Sequence, residues 1–402
     1  MTITINNKNK KTNVPNSTDK GNVIRNVPHL RFPEFEGEWE KCKFKDVCSI
    51  STGNKNTQDK ADDGIYPFYV RSQTVERINS WTFDGEAILT AGDGVGVGKV
   101  FHHSYGKIGV HQRVYILSDF KCDANYLFHF FSSKFYNRVK RMSAKNSVDS
   151  VRKEMITDMP LSLPCQKEQV KIGHMLSLLD ERIATQNKII DKLQTLIKGL
   201  NDSLYELYGN GITTSFAELG HSYSGLSGKT ADDFGTGKPF ITYLNVYSNN
   251  IVNENDYQYV RINEGEKQNV VKYGDVLFTL SSETPEEVGV GSVFLGKDEV
   301  YLNSFCFGIH IENEELVYSP YLSYYVSSTP FRKFIYPFAQ GSTRFNLCKA
   351  DFEKASIKLP LLENQIHIYA ILNSIAEKIE TEEMMLEKYL NQKQYLLRQM
   401  FI

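Results

Sequence analysis

Leu163 to Tyr205 reads LPCQKEQVKIGHMLSLLDERIATQNKIIDKLQTLIKGLNDSLY, and Leu359 to Phe401 reads LPLLENQIHIYAILNSIAEKIETEEMMLEKYLNQKQYLLRQMF. The two stretches align at a constant offset of 196 residues without a gap, and 10 of the aligned positions are identical. Both begin with Leu-Pro, and proline suits the start of a helix because it lacks the donor that a helix interior needs. The chain therefore contains an internal duplication.

Both stretches carry apolar residues at alternating steps of four and three, which is the spacing of a coiled-coil seam. The helix-pairing residues predicted in the first copy are Ile172, Leu176, Leu179, Ile183, Ile190, Leu193 and Ile197, with a polar break at Gln186. Those predicted in the second copy are Ile368, Leu372, Ile375, Ile379 and Leu386, with a polar break at Glu382. The spacing predicts two long helices.

The segments between these helices contain short alternating runs such as IYPFYV and DVLFTL, separated by Gly, Asn and Asp turns. Such runs are typical of strands, so the predicted fold class is α+β, with two β-rich globular domains and two long helices. The predicted layout is a disordered tail over 1–27, a domain over 28–164, a helix over 165–208, a domain over 209–360 and a helix over 361–402.

The composition excludes several classes of protein. Lys and Arg number 46 against 48 Asp and Glu, which excludes a polybasic protein that would bind nucleic acid by overall charge. The six cysteines lack the spacing of metal ligands, so we predict no metal site, reduced thiols and a cytoplasmic location. No run of 18 apolar residues predicts a transmembrane helix.

The sequence contains no recognisable catalytic motif. It lacks the Pro-Pro-aromatic loop with which an adenine methyltransferase holds a flipped base, and it lacks the G-x-x-x-x-G-K-[ST] loop that binds phosphate. The glycine-rich run from Gly92 to Gly98 does not fit G-x-G-x-x-G and is interpreted as a turn. We therefore predict that the chain is not an enzyme and has no catalytic residues.

Two basic segments precede the two helices at equivalent places. Residues 134–153 contain seven Lys or Arg and one acid, and residues 332–349 contain four Lys or Arg and no acid. Basic residues mixed with Ser, Thr, Asn and aromatic residues suit contacts to phosphates and base edges, although a solvated helix face explains the composition about equally well. Residues 209–360 contain 12 basic and 18 acidic residues, so DNA contact there is predicted to be local.

Five stretches resemble the specificity (S) subunits of type I restriction–modification systems. They are VPHLRFPEFEGEWE (27–40), YPFYVRSQ (66–73), EAILTAGDGVGVGKVF (86–101), GDVLFTLSSETPEEVGVGSV (274–293) and GSTRFNLCKADFEKASIKLPLLENQ (341–365). The last is the most specific, because Gly-Ser-Thr-Arg-x-Asn-Leu followed by Leu-Pro resembles the start of one of the family's repeated helices. The first copy departs from it, with LysAsnSerValAspSerValArg (145–152) in place of Gly-Ser-Thr-Arg.

The resemblance implies a non-enzymatic DNA reader in which each globular domain, a target-recognition domain, reads one half of a bipartite asymmetric target. It implies two modification (methyltransferase) subunits and restriction (translocase/endonuclease) subunits as partners. S-adenosylmethionine, ATP and Mg²⁺ are expected in those partners, and no cofactor is expected in this chain. It also implies that the two helices pack antiparallel as a coiled coil, in which case Gln186 and Glu382 are predicted to face each other near the crossing point.

We predict DNA contacts by residues whose side chains can bond to base edges or phosphates. In the first domain they are Arg71, Gln73, Gln112, Arg113, Lys145, Asn146 and Arg152. In the second domain they are Tyr243, Asn245, Ser282, Thr284, Ser342, Thr343 and Arg344.

Two alternatives stay open at this point. A coiled-coil scaffold with two β-rich domains that bind a carbohydrate or a protein would show the same patterning, and its binding would depend little on salt. A self-contained methyltransferase is disfavoured by the missing Pro-Pro and glycine-rich loops, and binding of S-adenosylmethionine by this chain alone would revive it.

Overall fold

The computed structural model describes residues 4–5, 26–143 and 150–402. The chain divides into two compact units, the first formed by residues 1–187 with 385–402 and the second by residues 188–384. The predicted tail lies almost wholly outside the described residues, except that strand β1 (Thr4–Ile5) pairs antiparallel with β2 (Leu30–Arg31).

The first unit contains two four-stranded sheets, ordered β6-β5-β10-β7 and β4-β11-β8-β9, together with the pair β12-β3. Its other strands are β3 (Glu40–Lys43), β4 (Ser49–Thr52), β5 (Tyr66–Tyr69), β6 (Glu76–Ile78), β7 (Phe83–Asp84), β8 (Ala87–Ala91), β9 (Phe101–Ser104), β10 (Lys107–Val110), β11 (Val114–Ser118) and β12 (Pro160–Leu163). Its helices are α1 (Phe44–Val47), α2 (Ala124–Met142), α3 (Lys153–Thr157) and the first half of α4 (Gln166–Tyr208).

The second unit repeats this plan, with sheets ordered β16-β15-β21-β17 and β14-β22-β18-β20, the pair β13-β25 and a three-stranded sheet β19-β24-β23. Its strands are β13 (Ile212–Thr214), β14 (Gly220–Ser224), β15 (Phe234–Ile241), β16 (Gln258–Val260), β17 (Val270–Val271), β18 (Val276–Thr279), β19 (Ser281–Ser282), β20 (Gly291–Val293), β21 (Val300–Leu302), β22 (Cys306–Ile311), β23 (Ala339–Gly341), β24 (Phe345–Leu347) and β25 (Ile357–Leu359). Its helices are the second half of α4, α5 (Phe216–Leu219), α6 (Tyr243–Ser248), α7 (Ser319–Tyr325), α8 (Thr329–Ile335), α9 (Lys349–Lys354) and the larger part of α10 (Leu362–Met400), whose end belongs to the first unit.

The two long helices pack antiparallel inside each unit. In the first unit Ile172 and Leu176 of α4 share a core with Leu396 and Met400 from the end of α10. In the second unit the last turns of α4, at Leu200 and Leu204, pack against the start of α10 at Ile368 and Leu372. Early residues of one helix thus meet late residues of the other, which confirms the predicted antiparallel arrangement and the α+β fold class.

The predicted helix-pairing residues are all buried or half-buried. Gln186 and Glu382 follow the same pattern, with exposed fractions of 5% and 7%. Both polar breaks are therefore held away from solvent. That they face each other stays a prediction.

Two glutamines at equivalent positions of the repeat fasten the long helices to the globular parts of their units. In the first unit the Gln169 side chain accepts from the Asp123 amide at 3.0 Å and donates to the Pro164 carbonyl at 2.8 Å. In the second unit Gln365 accepts from the Tyr318 amide at 2.9 Å and donates to the Pro360 carbonyl at 2.8 Å. Because both amides are buried and fully bonded, their loss leaves buried polar groups unsatisfied.

A buried ion pair gives Arg31, in the LRFPEF stretch, a structural role in the first unit. Arg31 donates two hydrogen bonds of 2.8 Å to the carboxylate of Glu168 at the start of α4, and the Glu168 side chain is fully buried. The same guanidinium donates to the carbonyls of Glu36 and Gly37. One arginine thus holds the N-terminal loop of the domain on the helix.

Arg31→Ala is expected to lower the free energy of unfolding of the full chain by about 3–5 kcal/mol, because it leaves the Glu168 carboxylate buried without its partner. Denaturation in urea measures the loss. Lys41→Ala, at an exposed position of β3, is the control and is expected to change stability by less than about 0.5 kcal/mol. Equal stability of the Arg31 and Lys41 variants would contradict this role of the ion pair.

The six cysteines all lie in the described part of the chain and are unpaired thiols. Burial raises the pKa of Cys48 and of Cys122 to about 12, and that of Cys42 to about 11. These three thiols therefore stay protonated and unreactive at neutral pH. None of the described helices is long and apolar enough to cross a membrane.

Candidate nucleic-acid interface

In the first unit, three separate turns meet at one end of strands β8 and β11. The Gly92 amide donates to the Arg113 carbonyl at 2.7 Å, and the Gly92 carbonyl accepts from the Val151 amide at 2.7 Å. Asp93 forms ion pairs with Arg71 at 2.9 Å and with Arg113 at 3.6 Å. The turn after β5, the turn before β11 and the segment at Val151 therefore form one surface.

This surface carries a local positive charge. One carboxylate, Asp93, faces two guanidiniums, Arg71 and Arg113, and the exposed Arg152 follows Val151 directly. Burial, and to a lesser extent Arg71, lowers the pKa of His111, whose Nδ1 accepts from the Arg113 amide at 3.0 Å. The imidazole is therefore neutral at pH 7, and the arginines supply the charge.

The structure places the other candidates of the first unit as follows. Gln73 and Gln112 are exposed in the turns after β5 and before β11, and the Gln112 amide donates to the Asn56 side chain. Both sit beside the arginines and are available to a ligand. Lys145 and Asn146 lie outside the described residues.

In the second unit, the three-stranded sheet β19-β24-β23 builds the corresponding surface. Ser342, Thr343 and Arg344 form the exposed tip of the β23–β24 hairpin. The turn depends on Gly341, which has a φ of 145° and a position where an added Cβ would lie 2.1 Å from the Arg344 carbonyl oxygen. The local backbone thus presents the Arg344 side chain to solvent.

The remaining candidates of the second unit differ in accessibility. Thr284 is exposed next to the hairpin, whereas Ser282 is buried and bonds to Glu287 at 3.1 Å. Tyr243 is half-buried, and its hydroxyl donates to the Ser281 carbonyl at 2.8 Å.

Asn245 is fully buried and serves the fold. Its amide donates to the Asn253 and Asp256 carbonyls, and its side-chain oxygen accepts from the Asn253 amide. The proposed base contact by Asn245 is therefore incompatible with this conformation, because no polar atom of the side chain is left for a ligand.

Part of each basic segment also serves the fold. Arg332 donates to the carbonyls of Glu286, Val288 and Gly289 and thereby stabilises the loop that precedes β20. Arg138 of α2 donates to the Met155 carbonyl at 2.7 Å. Arg332 and Arg138 thus stabilise the fold, although they lie in the two basic segments.

The structure adds Phe305, which sequence reasoning missed. Its side chain is 58% exposed in the turn before β22, and its carbonyl accepts from the Leu280 amide at 2.9 Å. It therefore lies next to the strand end from which β19 and the hairpin extend. An isolated phenylalanine in a turn reads as core in a sequence, so no local pattern identified it.

The profile of the family described as type I restriction modification DNA specificity domain matches residues 36–195 and 225–392. The chain is 25% identical over 177 residues to the type I restriction enzyme EcoDI specificity subunit of Escherichia coli, covering 44% of this chain and 39% of that protein. It is 28% identical over 190 residues to the MjaVIII specificity subunit of Methanocaldococcus jannaschii, covering 44% and 43%. The alignments thus span less than half of either relative.

Solved structures share the fold. The type I restriction–modification S subunit from M. genitalium superposes with a TM-score of 0.61 at 14% identity, covering 94% of this chain and 99% of that one. A chain from a structural study of complex assembly and conformational transition of the type I R-M system superposes with a TM-score of 0.53 at 15% identity, covering 89% and 96%. Since the family profile matches both halves of the duplication, the chain belongs to the type I restriction–modification DNA specificity family.

Proposed function

We propose that this chain is the DNA-recognition subunit of a type I restriction–modification complex, and that each unit reads one half of a bipartite asymmetric target. The observation that carries the proposal is that both units build a surface of the same design. In each unit the segment before α3 or α9 bonds to a strand end, and exposed arginine lies near the junction, with Arg71, Arg113 and Arg152 in the first unit and Arg344 in the second. Arginine suits both phosphates and guanine edges.

The proposal gives the chain no catalytic role. Two modification subunits would bind S-adenosylmethionine and methylate an adenine in each half-site, and restriction subunits would use ATP and Mg²⁺. A flipped base must reach a methyltransferase held in fixed register, so the reader and the enzyme have to assemble. The helices and domains of this chain would provide the docking surfaces.

The acidity of the second domain limits how it can bind DNA. Residues 209–360 carry more acidic than basic groups, so phosphate contacts there are confined to small areas such as the hairpin tip at Arg344. The modification subunits would supply the rest of the phosphate neutralisation. A scaffold that binds carbohydrate or protein is disfavoured by the family match.

The test measures DNA binding by the full chain assembled with its modification subunits, on duplexes selected from a random library. Raising the salt from about 50 to 200 mM is expected to weaken binding about 10³-fold or more. Arg344→Ala is expected to weaken it by about 1–3 kcal/mol, roughly 5- to 150-fold. Lys297→Ala is the control, because Lys297 is exposed in the turn after β20, at the strand end away from the hairpin.

Salt-independent binding, or a library that yields no enriched sequence, would overturn the proposed function. A solved DNA complex in which neither Arg344 nor Arg152 comes near the duplex would refute the placement of the interface while leaving DNA binding itself intact.

A further inference from the structure

Backbone hydrogen bonds show that the two units hold certain residues at equivalent positions. In the first unit, β5 runs parallel to β10, and the His111 amide donates to the Tyr69 carbonyl at 3.0 Å. In the second unit, β15 runs parallel to β21, and the Asn303 amide donates to the Ile241 carbonyl at 3.0 Å. Tyr69 and Ile241 are therefore equivalent, and the residues two positions further along the chain are Arg71, in a bend, and Tyr243, the first residue of α6.

Two more pairs of equivalent residues follow from the backbone hydrogen bonds at the ends of β8 and β18. The Gly92 amide donates to the Arg113 carbonyl at 2.7 Å, as the Leu280 amide does to the Phe305 carbonyl at 2.9 Å. The Gly92 and Leu280 carbonyls in turn accept from Val151 and Leu347, which lie 196 residues apart. Arg113 is thus equivalent to Phe305. The residues after Gly92 and Leu280 are equivalent as well, and they are Asp93 and Ser281.

Corresponding positions therefore carry different chemistry in the two units. The first unit has a charged triplet, formed by Arg71, Asp93 and Arg113. The second unit has Tyr243, Ser281 and Phe305 at these positions, which we call the aromatic triplet after its two aromatic members; the Tyr243 hydroxyl donates to the Ser281 carbonyl, and the Phe305 carbonyl accepts from the Leu280 amide. The Arg113 side chain is 65% exposed and Phe305 is 58% exposed, so each is the most exposed member of its triplet.

Resting on the proposed function, we propose that these triplets are specificity determinants that give the two half-sites different bases at corresponding positions. Arg113 of the charged triplet contacts a guanine, and Phe305 of the aromatic triplet contacts the methyl group of a thymine. Unlike most exposed residues of the two surfaces, they are placed by identical backbone bonds. A difference in base preference can therefore be traced to the side chains alone.

The physical chemistry of the two groups supports this assignment. A guanidinium can donate two hydrogen bonds to the O6 and N7 atoms of guanine, and the Arg113 guanidinium lies 3.6 Å from the Asp93 carboxylate, next to which it is exposed. A phenyl ring has no such donor, and its apolar edge matches the thymine methyl in the major groove. The hydroxyl of Tyr243 is occupied by the Ser281 carbonyl, which leaves Phe305 as the projecting member of its triplet.

The first experiment uses the wild-type complex and base analogues, so that no substitution can disturb folding. Methylation mapping first supplies the target. Replacing each thymine of the second half-site in turn by deoxyuridine, which lacks the methyl group, is expected to weaken binding about fourfold at one position. Replacing each guanine of the first half-site by 7-deazaguanine is expected to weaken binding about tenfold at one position. Full affinity for every analogue duplex would overturn the proposal.

The second experiment assigns these effects to residues. Phe305→Ala is expected to bind the thymine and deoxyuridine duplexes equally, and Arg113→Ala is expected to lose sensitivity to 7-deazaguanine. Tyr273→Ala is the control, since Tyr273 is exposed at the opposite end of β18 and its variant should keep the wild-type discrimination. Discrimination that persists in both triplet variants would overturn the assignment. Failure of the wild-type complex to bind the unmodified duplex would instead refute the proposed function.

Discussion

Exchanging residues 28–160 for the matching segment of a relative is expected to replace one half of the DNA target and to leave the other half unchanged. The first unit has its own core, in which Phe44, Phe131 and Phe135 of this segment pack against one another. The candidate surface around Arg113 is built entirely from residues of the first unit. The base preference of this surface is therefore expected to be transferred together with the exchanged segment.

The exchange succeeds only if the donor segment fits the helices of this chain. The donor needs an arginine at the position of Arg31, to pair with Glu168, and a backbone amide placed like that of Asp123, to reach Gln169. It also needs an aromatic residue at the position of Tyr126, because the ring centroids of Tyr126 and Phe401, which follows α10, lie 5.3 Å apart.

Sequencing of methylated adenines in the host genome measures the outcome, and reinsertion of the native segment is the control. A chimera in which both half-sites change together would show that the two units do not read independently. A chimera that methylates the original target would show that residues outside 28–160 read the first half-site.

Inserting four residues after Gln186 is expected to lengthen the spacer, which is the unread DNA between the two half-sites of the target. Neither half-site is expected to change. Helix α4 is continuous over 43 residues, and at about 1.5 Å per residue it extends roughly 65 Å. Four residues add about one turn and about 6 Å, which approaches two base-pair steps of about 3.4 Å. If the helices set the distance between the reading surfaces, the spacer has to follow this change.

The buried polar residues explain why helix register matters. Gln186 and Glu382 are each buried within otherwise apolar seams. A polar layer in a seam costs stability, but it disfavours every register in which its groups lose their partners. A chain with four residues inserted after both Gln186 and Glu382 keeps the helices matched, and it is expected to lengthen the spacer with less loss of stability.

The control replaces the four residues after Gln186 with the residues chosen for the insertion, so that composition changes and length does not. This variant is expected to keep the original spacer. Methylation mapping reports the spacer in every case. An insertion variant that folds, methylates DNA and keeps the native spacer would show that the helices do not set the spacer length.

The sequence by itself determined the elements that local periodicity specifies. The helix predicted over 165–208 is observed as Gln166–Tyr208, and the helix predicted over 361–402 as Leu362–Met400. A seam that repeats over about 40 residues leaves few alternatives for the backbone, because any other conformation would expose its apolar face. The internal duplication likewise predicted two similar units, and their sheets do share one strand order.

Tertiary structure alone decided which candidate residues reach a ligand. Asn245 and Arg344 are both polar residues near turns, yet the first is locked inside the fold and the second lies at an exposed hairpin tip. The equivalence of Arg113 and Phe305 is likewise invisible in the sequence, since the two residues share no chemistry. Exposure and pairing depend on which distant strands meet, and those contacts are set by the packing of the whole unit, which no local pattern encodes.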